Sequence, residues 1–311
     1  MAAVAGLDTK LGRLSLKTPV LVASGTFGAG REGSSFLKLD QLGGVITKSM
    51  TVQPWKGKPT PRMAETPSGM LNAIGIQNKG VDHFILEDMP WLKKRHATVV
   101  ASIAGNTVDE FVRVAEKIRA GAGDVAAVEV NISCPNLEDR NNMFSHSASA
   151  TFEVIEGVKE KLKRIPVFPK LSPNVTSLSE IAESALEAGA DGLSLINTLL
   201  GMSVDIESRR PSLAGTYGGL SGPAIRPVAV RAVHEIHTAF PHVPIIGQGG
   251  IATAEDALEF ILAGASAVAV GTANFVNPRV ALDVTEGIAA YMSRHGVADL
   301  SELVGAIKLE G

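Results

Sequence analysis

"PIIGQGGIATAEDALEFILAGASAVAVGT" (244–272) carries the reading that decides the fold. Its two ends, "PIIGQGG" (244–250) and "AVAVGT" (267–272), are short apolar runs closed by glycine and small polar residues. Between them "TAEDALEFILAGA" (253–265) has apolar residues at helical spacing, Thr253 as a cap and acids in its first turn. This is a strand, a helix and a second strand. The strands lack polar alternation, which suits burial on both faces of a parallel sheet.

The same unit recurs toward the N-terminus. Further apolar runs are "PVLVAS" (19–24), "GGVITKS" (43–49), "TVVASIAG" (98–105), "AAVEVNIS" (126–133), "VFPKLS" (167–172) and "GLSLIN" (192–197). Helical patterns occupy 107–121, 150–164 and 177–190, the last opened by a Ser-x-x-Glu capping box at Ser177 and Glu180. "AGADG" (188–192) and "AGASA" (263–267) echo one another as turns from helix to strand. Eight strands alternating with helices predict one (β/α)8 barrel as a single domain over 1–311. A doubly wound sheet would gather its polar, glycine-rich strand ends at one switch point, whereas here they are spread over all eight. Residues 50–97 and 198–243 exceed a simple βα unit and are rich in Gly, Pro and Ser. Such insertions after strands two and six belong over the catalytic face.

Composition narrows the function. The 311 residues carry a formal net charge of −3 and no basic block longer than "KKR" (93–95), which argues against nucleic acid. A single cysteine excludes a disulfide framework and a cysteine-based zinc site. The N-terminal stretch lacks the pattern of a signal peptide, and no run of about 18 apolar residues occurs. The expectation is a cytoplasmic protein without a membrane segment.

In a barrel of this kind the C-terminal strand ends share one site. They bring Ser24, Lys48, Ser102, Asn131, Lys170, Asn197, Thr198, Gly249, Gly250, Gly271 and Thr272, with Cys134 and Asn136 just past strand four. No His, Asp or Glu closes a strand, so no metal site is expected. His234 and His237 are read as a solvated helix face, and His146 as a loop residue. The glycine turns after strands seven and eight suit a phosphate, whose oxygens can meet backbone N–H groups and a helix N-terminus. With lysines on neighbouring strands, flavin mononucleotide and pyridoxal phosphate both fit. A carboxylate for a pyridine nitrogen is missing at the strand ends, which favours the flavin. Lys48 and Lys170 lie in apolar strands, where an unpaired ammonium is costly. Cys134, the lone thiol, has no histidine beside it in sequence to make it a nucleophile. A base abstracting a proton from a carbon acid is the more economical role, against the ordinary one of a small buried hydrophobe.

"LVASGTFG" (21–28), "ITKS" (46–49), "NAIGIQNKG" (72–80), "NISCPN" (131–136), "PKLSPNVT" (169–176), "INTL" (196–199), "GGLSGPAIRPVAV" (218–230), "IIGQGGI" (245–251) and "AVAVGTANF" (267–275) together resemble the class 1 dihydroorotate dehydrogenases. Serine in place of Cys134 would resemble class 2. "INTLLGM" (196–202) and "AVAVGTANF" look most like subclass 1B. The resemblance implies oxidation of dihydroorotate to orotate in pyrimidine biosynthesis. It implies FMN in this chain, and a partner subunit with FAD and a 2Fe–2S cluster passing electrons to NAD. The assembly it implies is a homodimer or a heterotetramer with that partner. FMN contacts would come from Ser24, Gly25, Lys48, Ser49, Ser102, Asn131, Lys170, Ile196, Gly222, Gly249, Gly250, Gly271 and Thr272. Dihydroorotate would meet Lys48, Asn72, Ala73, Ile74, Gly75, Ile76, Asn131, Asn136, Asn197 and Thr198, and Cys134 would be the base. The family often continues past "SCPN" with glycines, whereas "LEDRNNMFSHSASA" (137–150) has none. Dihydropyrimidine dehydrogenase-like chemistry and a non-catalytic FMN-binding barrel are the alternatives.

Overall fold

The computed structural model describes residues 6–132 and 143–308. Eight parallel strands close into a barrel: β1 (Val20–Val22), β2 (Gly44–Ile46), β3 (Val99–Ile103), β4 (Ala127–Asn131), β5 (Val167–Lys170), β6 (Leu193–Leu195), β7 (Ile245–Gln248) and β8 (Ala267–Val270). Each lies inside one of the eight apolar runs. They pair in sequence order, and β8 closes onto β1 through Val268↔Val20. A doubly wound sheet has neither property.

Why these runs are apolar throughout is visible in their two faces. Leu21, Ile46, Val100, Ala127, Phe168, Ile246, Ala267 and Ala269 form one cluster inside the barrel. Their neighbours Val20, Val22, Val45, Val99, Val128, Val130, Val167, Val268 and Val270 belong to the main core, on the helix side. A period of two thus sends alternate residues inward and outward, and both sides are dry. The hairpin Thr9–Leu11/Leu14–Leu16 adds Leu11 and Leu16 to the interior cluster. Its turn at Gly12 approaches Pro244 and Asp191, just before β7 and β6. It therefore plugs the N-terminal end.

The surrounding helices are α1 (Val108–Gly121), α2 (Ala148–Leu162), α3 (Leu178–Glu187), α4 (Arg226–Ala239), α5 (Ala254–Ala263) and α6 (Val280–His295). Their starts follow side-chain chemistry. Thr107, Ser147, Ser177 and Thr253 each accept a backbone N–H three residues on. At α5 the box is reciprocal, because Asp256 accepts the Thr253 N–H at 3.0 Å. At α3 the Ser177 half is present, accepting from the Glu180 amide at 3.3 Å. Between β1 and β2 the structure places two short 3-10 turns, Gly33–Ser35 and Leu39–Gln41, and between β2 and β3 a helical segment over 81–93.

The two long insertions meet. Met63–Thr66 and Gly69–Asn72 from the first pair with Gly218–Ser221 and Leu199–Gly201 from the second, in one antiparallel four-stranded sheet. Gly219↔Asn72 and Leu220↔Leu71 are its central register. Leu71, Ala73 and Leu213 give it a small core of its own.

Phe168 fills the barrel interior and is fully buried. Phe168→Ala is expected to destabilise the fold by about 3–5 kcal/mol in equilibrium denaturation, because the closed strands cannot collapse into the void.

Candidate active site

The C-terminal end of the barrel and the four-stranded sheet enclose a cavity of about 620 Å³. Barrel strand ends supply Ser24, Gly25, Lys48, Ser49, Asn131, Lys170, Ile196, Asn197, Thr198, Gly249, Gly250, Gly271 and Thr272. The insertions supply Gly222 and the loop from Asn72 through Ala73, Ile74 and Gly75 to Ile76. These are the residues singled out in the sequence, from elements as far apart as Ser24 and Thr272. Ser102 lies one layer deeper, fully buried, its Oγ 2.9 Å from Ser49 Oγ. Cys134 and Asn136 lie outside the described residues. So do residues 137–142 of the loop 137–150, whereas His146, at the end of a 3-10 turn, lines the cavity.

The floor is built by the inward positions of the strands. Lys170 is buried, and its Nζ donates to Gln248 Oε1 at 2.9 Å. Gln248 Nε2 is buried without a partner among the described residues, and such a donor is costly until something accepts from it. Below lies Glu129, fully buried, its carboxyl oxygens accepting from Ser102 Oγ at 3.0 Å and Ser194 Oγ at 3.2 Å. Sequence reasoning missed Glu129, Ser194 and Gln248. The period of two contained the signal, since Glu129 shares the parity of Ala127 and Asn131 and so must point inward. Also missed were Met63, Met70, Tyr217 and Phe275, which add apolar surface, and Asn174. Asn174 braces the lid: its Oδ1 accepts from Leu200 N at 2.9 Å and its Nδ2 donates to Thr198 O at 3.0 Å.

One wall is a glycine cradle. Gly250 has φ +89°, and a Cβ there would fall 2.8 Å from the Gly222 carbonyl oxygen. Among the described residues, no backbone hydrogen bond is donated by the amides of Gly249, Gly250, Gly271 or Thr272. Thr272 Oγ1 donates to Ser221 Oγ at 2.8 Å, tying β8 to the lid sheet. Arg226, at the start of α4, pairs with the buried Asp256, which also accepts the Ala252 amide at 2.9 Å. That ion pair holds the two helix starts beside the cradle. Its donors can gather around an anion, and the rest of the cavity offers a lysine–glutamine floor and a ring of amides.

Comparison with known proteins decides the kinship. The dihydroorotate dehydrogenase family model matches residues 6–292. The chain belongs to the dihydroorotate dehydrogenase family. It is similar to the catalytic subunit of dihydroorotate dehydrogenase B (NAD(+)) of Alkaliphilus metalliredigens, 50% identical over 301 residues, covering 97% of this chain and 98% of that one. The protein of the same name from Alkaliphilus oremlandii is 51% identical over 294 residues, 94% of this chain and 96% of the relative. That from Bacteroides thetaiotaomicron is 45% identical over 306 residues, 98% and 100% of the two chains. The family assignment thus extends over the barrel, both insertions and the cavity between them. Among the described residues, no helix is long and apolar enough to cross a membrane, and no group of three or more His, Cys, Asp or Glu could hold a metal ion.

Gly250→Val is expected to lower stability by roughly 1–3 kcal/mol, from the left-handed backbone and the clash with Gly222. Chemical denaturation checks the value, and an unchanged midpoint would mean that the turn relaxes freely.

Proposed function

We propose that the chain is an FMN-dependent dihydroorotate dehydrogenase that oxidises (S)-dihydroorotate to orotate in pyrimidine biosynthesis. Members of the family are flavin-dependent, and the relatives are named catalytic subunits, which implies a second subunit. The observation that carries the reading is the convergence of glycine cradle, Lys170–Gln248 floor and amide ring in one cavity.

The residues fit FMN. The phosphate suits the amides of Gly222, Gly249, Gly250, Gly271 and Thr272. Ser24, Gly25, Lys48, Ser49, Ser102, Asn131 and Ile196 complete the set, with Ser102 acting through Ser49. Gln248 Nε2, buried and unpartnered among the described residues, suits a ring acceptor. Lys170 beside it brings positive charge to an isoalloxazine edge that becomes more negative on reduction. When bound, FMN supplies the acceptor for the hydride that leaves C6 of the substrate.

The remaining tasks fall to protein side chains. Lys48 faces the substrate carboxylate. Asn72, Asn131, Asn136 and Asn197, with Thr198, match the alternating N–H and C=O edge of the pyrimidine, since each amide both donates and accepts. The loop 72–76 covers the ring under the lid sheet. Cys134, three residues past the end of β4, takes the proton from C5. A partner subunit carrying FAD and a 2Fe–2S cluster would link the flavin to NAD, and the chain would assemble as a homodimer or, with that partner, as a heterotetramer.

Turnover of flavin-loaded protein with dihydroorotate against dihydrouracil tests the reading. A preference of about 10²-fold or more for the carboxylated substrate is expected, and equal rates would reject dihydroorotate as the substrate. Cys134→Ser is expected to keep flavin and slow its reduction roughly 10²–10⁴-fold near neutral pH. The wild-type rate is expected to rise with pH as a thiol titrates near about 8.5. A mutant as fast as wild type would remove Cys134 from the chemistry. Lys170→Ala is expected to weaken flavin retention or shift the flavin potential, and unchanged values would make this lysine structural only.

A further inference from the structure

Glu129 touches nothing in the cavity, yet a continuous chain of hydrogen bonds leads from it to the amides that line the cavity. At the lid end, the Thr198 N–H donates to Asn197 Oδ1 at 2.8 Å. A backbone N–H can only donate, so the Asn197 amide is oriented, and its Nδ2 donates to Asn131 Oδ1 at 3.4 Å. Asn131 Nδ2 in turn donates to Ser49 Oγ at 3.1 Å. At the other end, Glu129 Oε1 takes the single hydroxyl proton of Ser102 at 3.0 Å. Ser102 can then only accept from Ser49, 2.9 Å away, and Ser49, its proton used, can only accept from Asn131. Both ends impose the same direction, and no link opposes another.

The links differ in strength. The Asn197–Asn131 bond is the longest at 3.4 Å, near the limit for a hydrogen bond, whereas the links from Asn131 down to Glu129 run from 2.9 to 3.1 Å. At Asn131 the link toward Ser49, 3.1 Å, is thus shorter than the link from Asn197, 3.4 Å. Ser194 Oγ donates to Glu129 Oε2 at 3.2 Å and keeps the carboxyl group in place.

We infer that Glu129 is a positioning residue that sets the hydrogen-bond polarity of Ser49 and Asn131 from the buried side, in register with the Asn197 amide that Thr198 orients, and thereby the orientation in which a planar pyrimidine is held. The inference rests on the proposed pyrimidine site. The ring edge alternates N–H and C=O, so an amide presented the wrong way round sets donor against donor. Removing the Glu129 acceptor releases the Ser102 proton toward Ser49. Ser49 then no longer receives the Asn131 N–H in a single fixed direction. No charge needs to reach the ligand for this effect; an acceptor oxygen at the position of Oε1 suffices.

That last point gives the test. Orotate affinity is read on flavin-loaded protein from the absorbance perturbation of the flavin, with no turnover. Glu129→Met is expected to weaken orotate binding about tenfold or more. Glu129→Gln is expected to bind within about threefold of wild type, because its carboxamide oxygen still accepts from Ser102 while its NH2 donates to Ser194. Ser102→Ala cuts the chain at the next link and is expected to match Glu129→Met, with no further loss in the double variant. Wild-type affinity in Glu129→Met, a Glu129→Gln variant as weak as Glu129→Met, or multiplying losses in the double variant would each overturn the inference. If Glu129→Met does not hold flavin, Ser102→Ala against Glu129→Gln decides by the same criteria. Failure of the wild-type protein to bind orotate would instead overturn the pyrimidine reading, and the inference with it.

Discussion

Closing eight parallel strands into a barrel forces every second side chain into a shared interior, and this constraint organises the rest of the molecule. Toward the N-terminal end the inward residues are Leu21, Val100, Ala127, Phe168, Ile246 and Ala267, sealed by Leu11 and Leu16 of the hairpin. Two positions further along the strands of Val100, Ala127, Phe168 and Ile246, at the same parity, the residues become Ser102, Glu129, Lys170 and Gln248, and then Asn131. A dry floor thus carries a polar layer. The polar groups have few places to turn except to one another, which is why they form short, directional links. The chemistry depends on this register, since a slip of one residue would send Lys170 and Glu129 into the helix layer.

The second element is the lid sheet. It is made from two insertions almost 150 residues apart, joined through Asn72↔Gly219 and Leu71↔Leu220. Asn72 Nδ2 also donates to Gly219 O at 3.3 Å, and Asn174 ties the sheet back to the loop after β5. Cavity-lining residues on the loop 72–76 are therefore held from the outer side by hydrogen bonds that end on the barrel. The cavity is a product of both layers, and neither insertion encloses it alone.

Much of this was legible in the sequence, and the reasons are physical. Strands buried on both faces read as runs of Val and Ile, so all eight barrel strands stood out. Ser177 and Thr253 marked helix starts because short oxygen-bearing side chains cap free N–H groups. The lid sheet did not stand out, since its strands are three or four residues long and their pairing is a long-range contact. The helical segment over 81–93 was absorbed into a stretch read as insertion. Glu129 was hidden because Val128 and Val130 make its strand look apolar, and attention rested on the residues that close each strand. Cys134 and Asn136, the most suggestive residues of the sequence, lie outside the described residues, and their roles rest on sequence position and family.

The central claim is that a flavin held over the Lys170–Gln248 floor accepts a hydride from dihydroorotate held by the asparagine ring. An anaerobic absorbance spectrum of the flavin-loaded chain, before and after adding dihydroorotate, tests it most directly. The account predicts a yellow protein that bleaches on addition of dihydroorotate without any partner subunit present. A flavin that stays oxidised in excess dihydroorotate would contradict it.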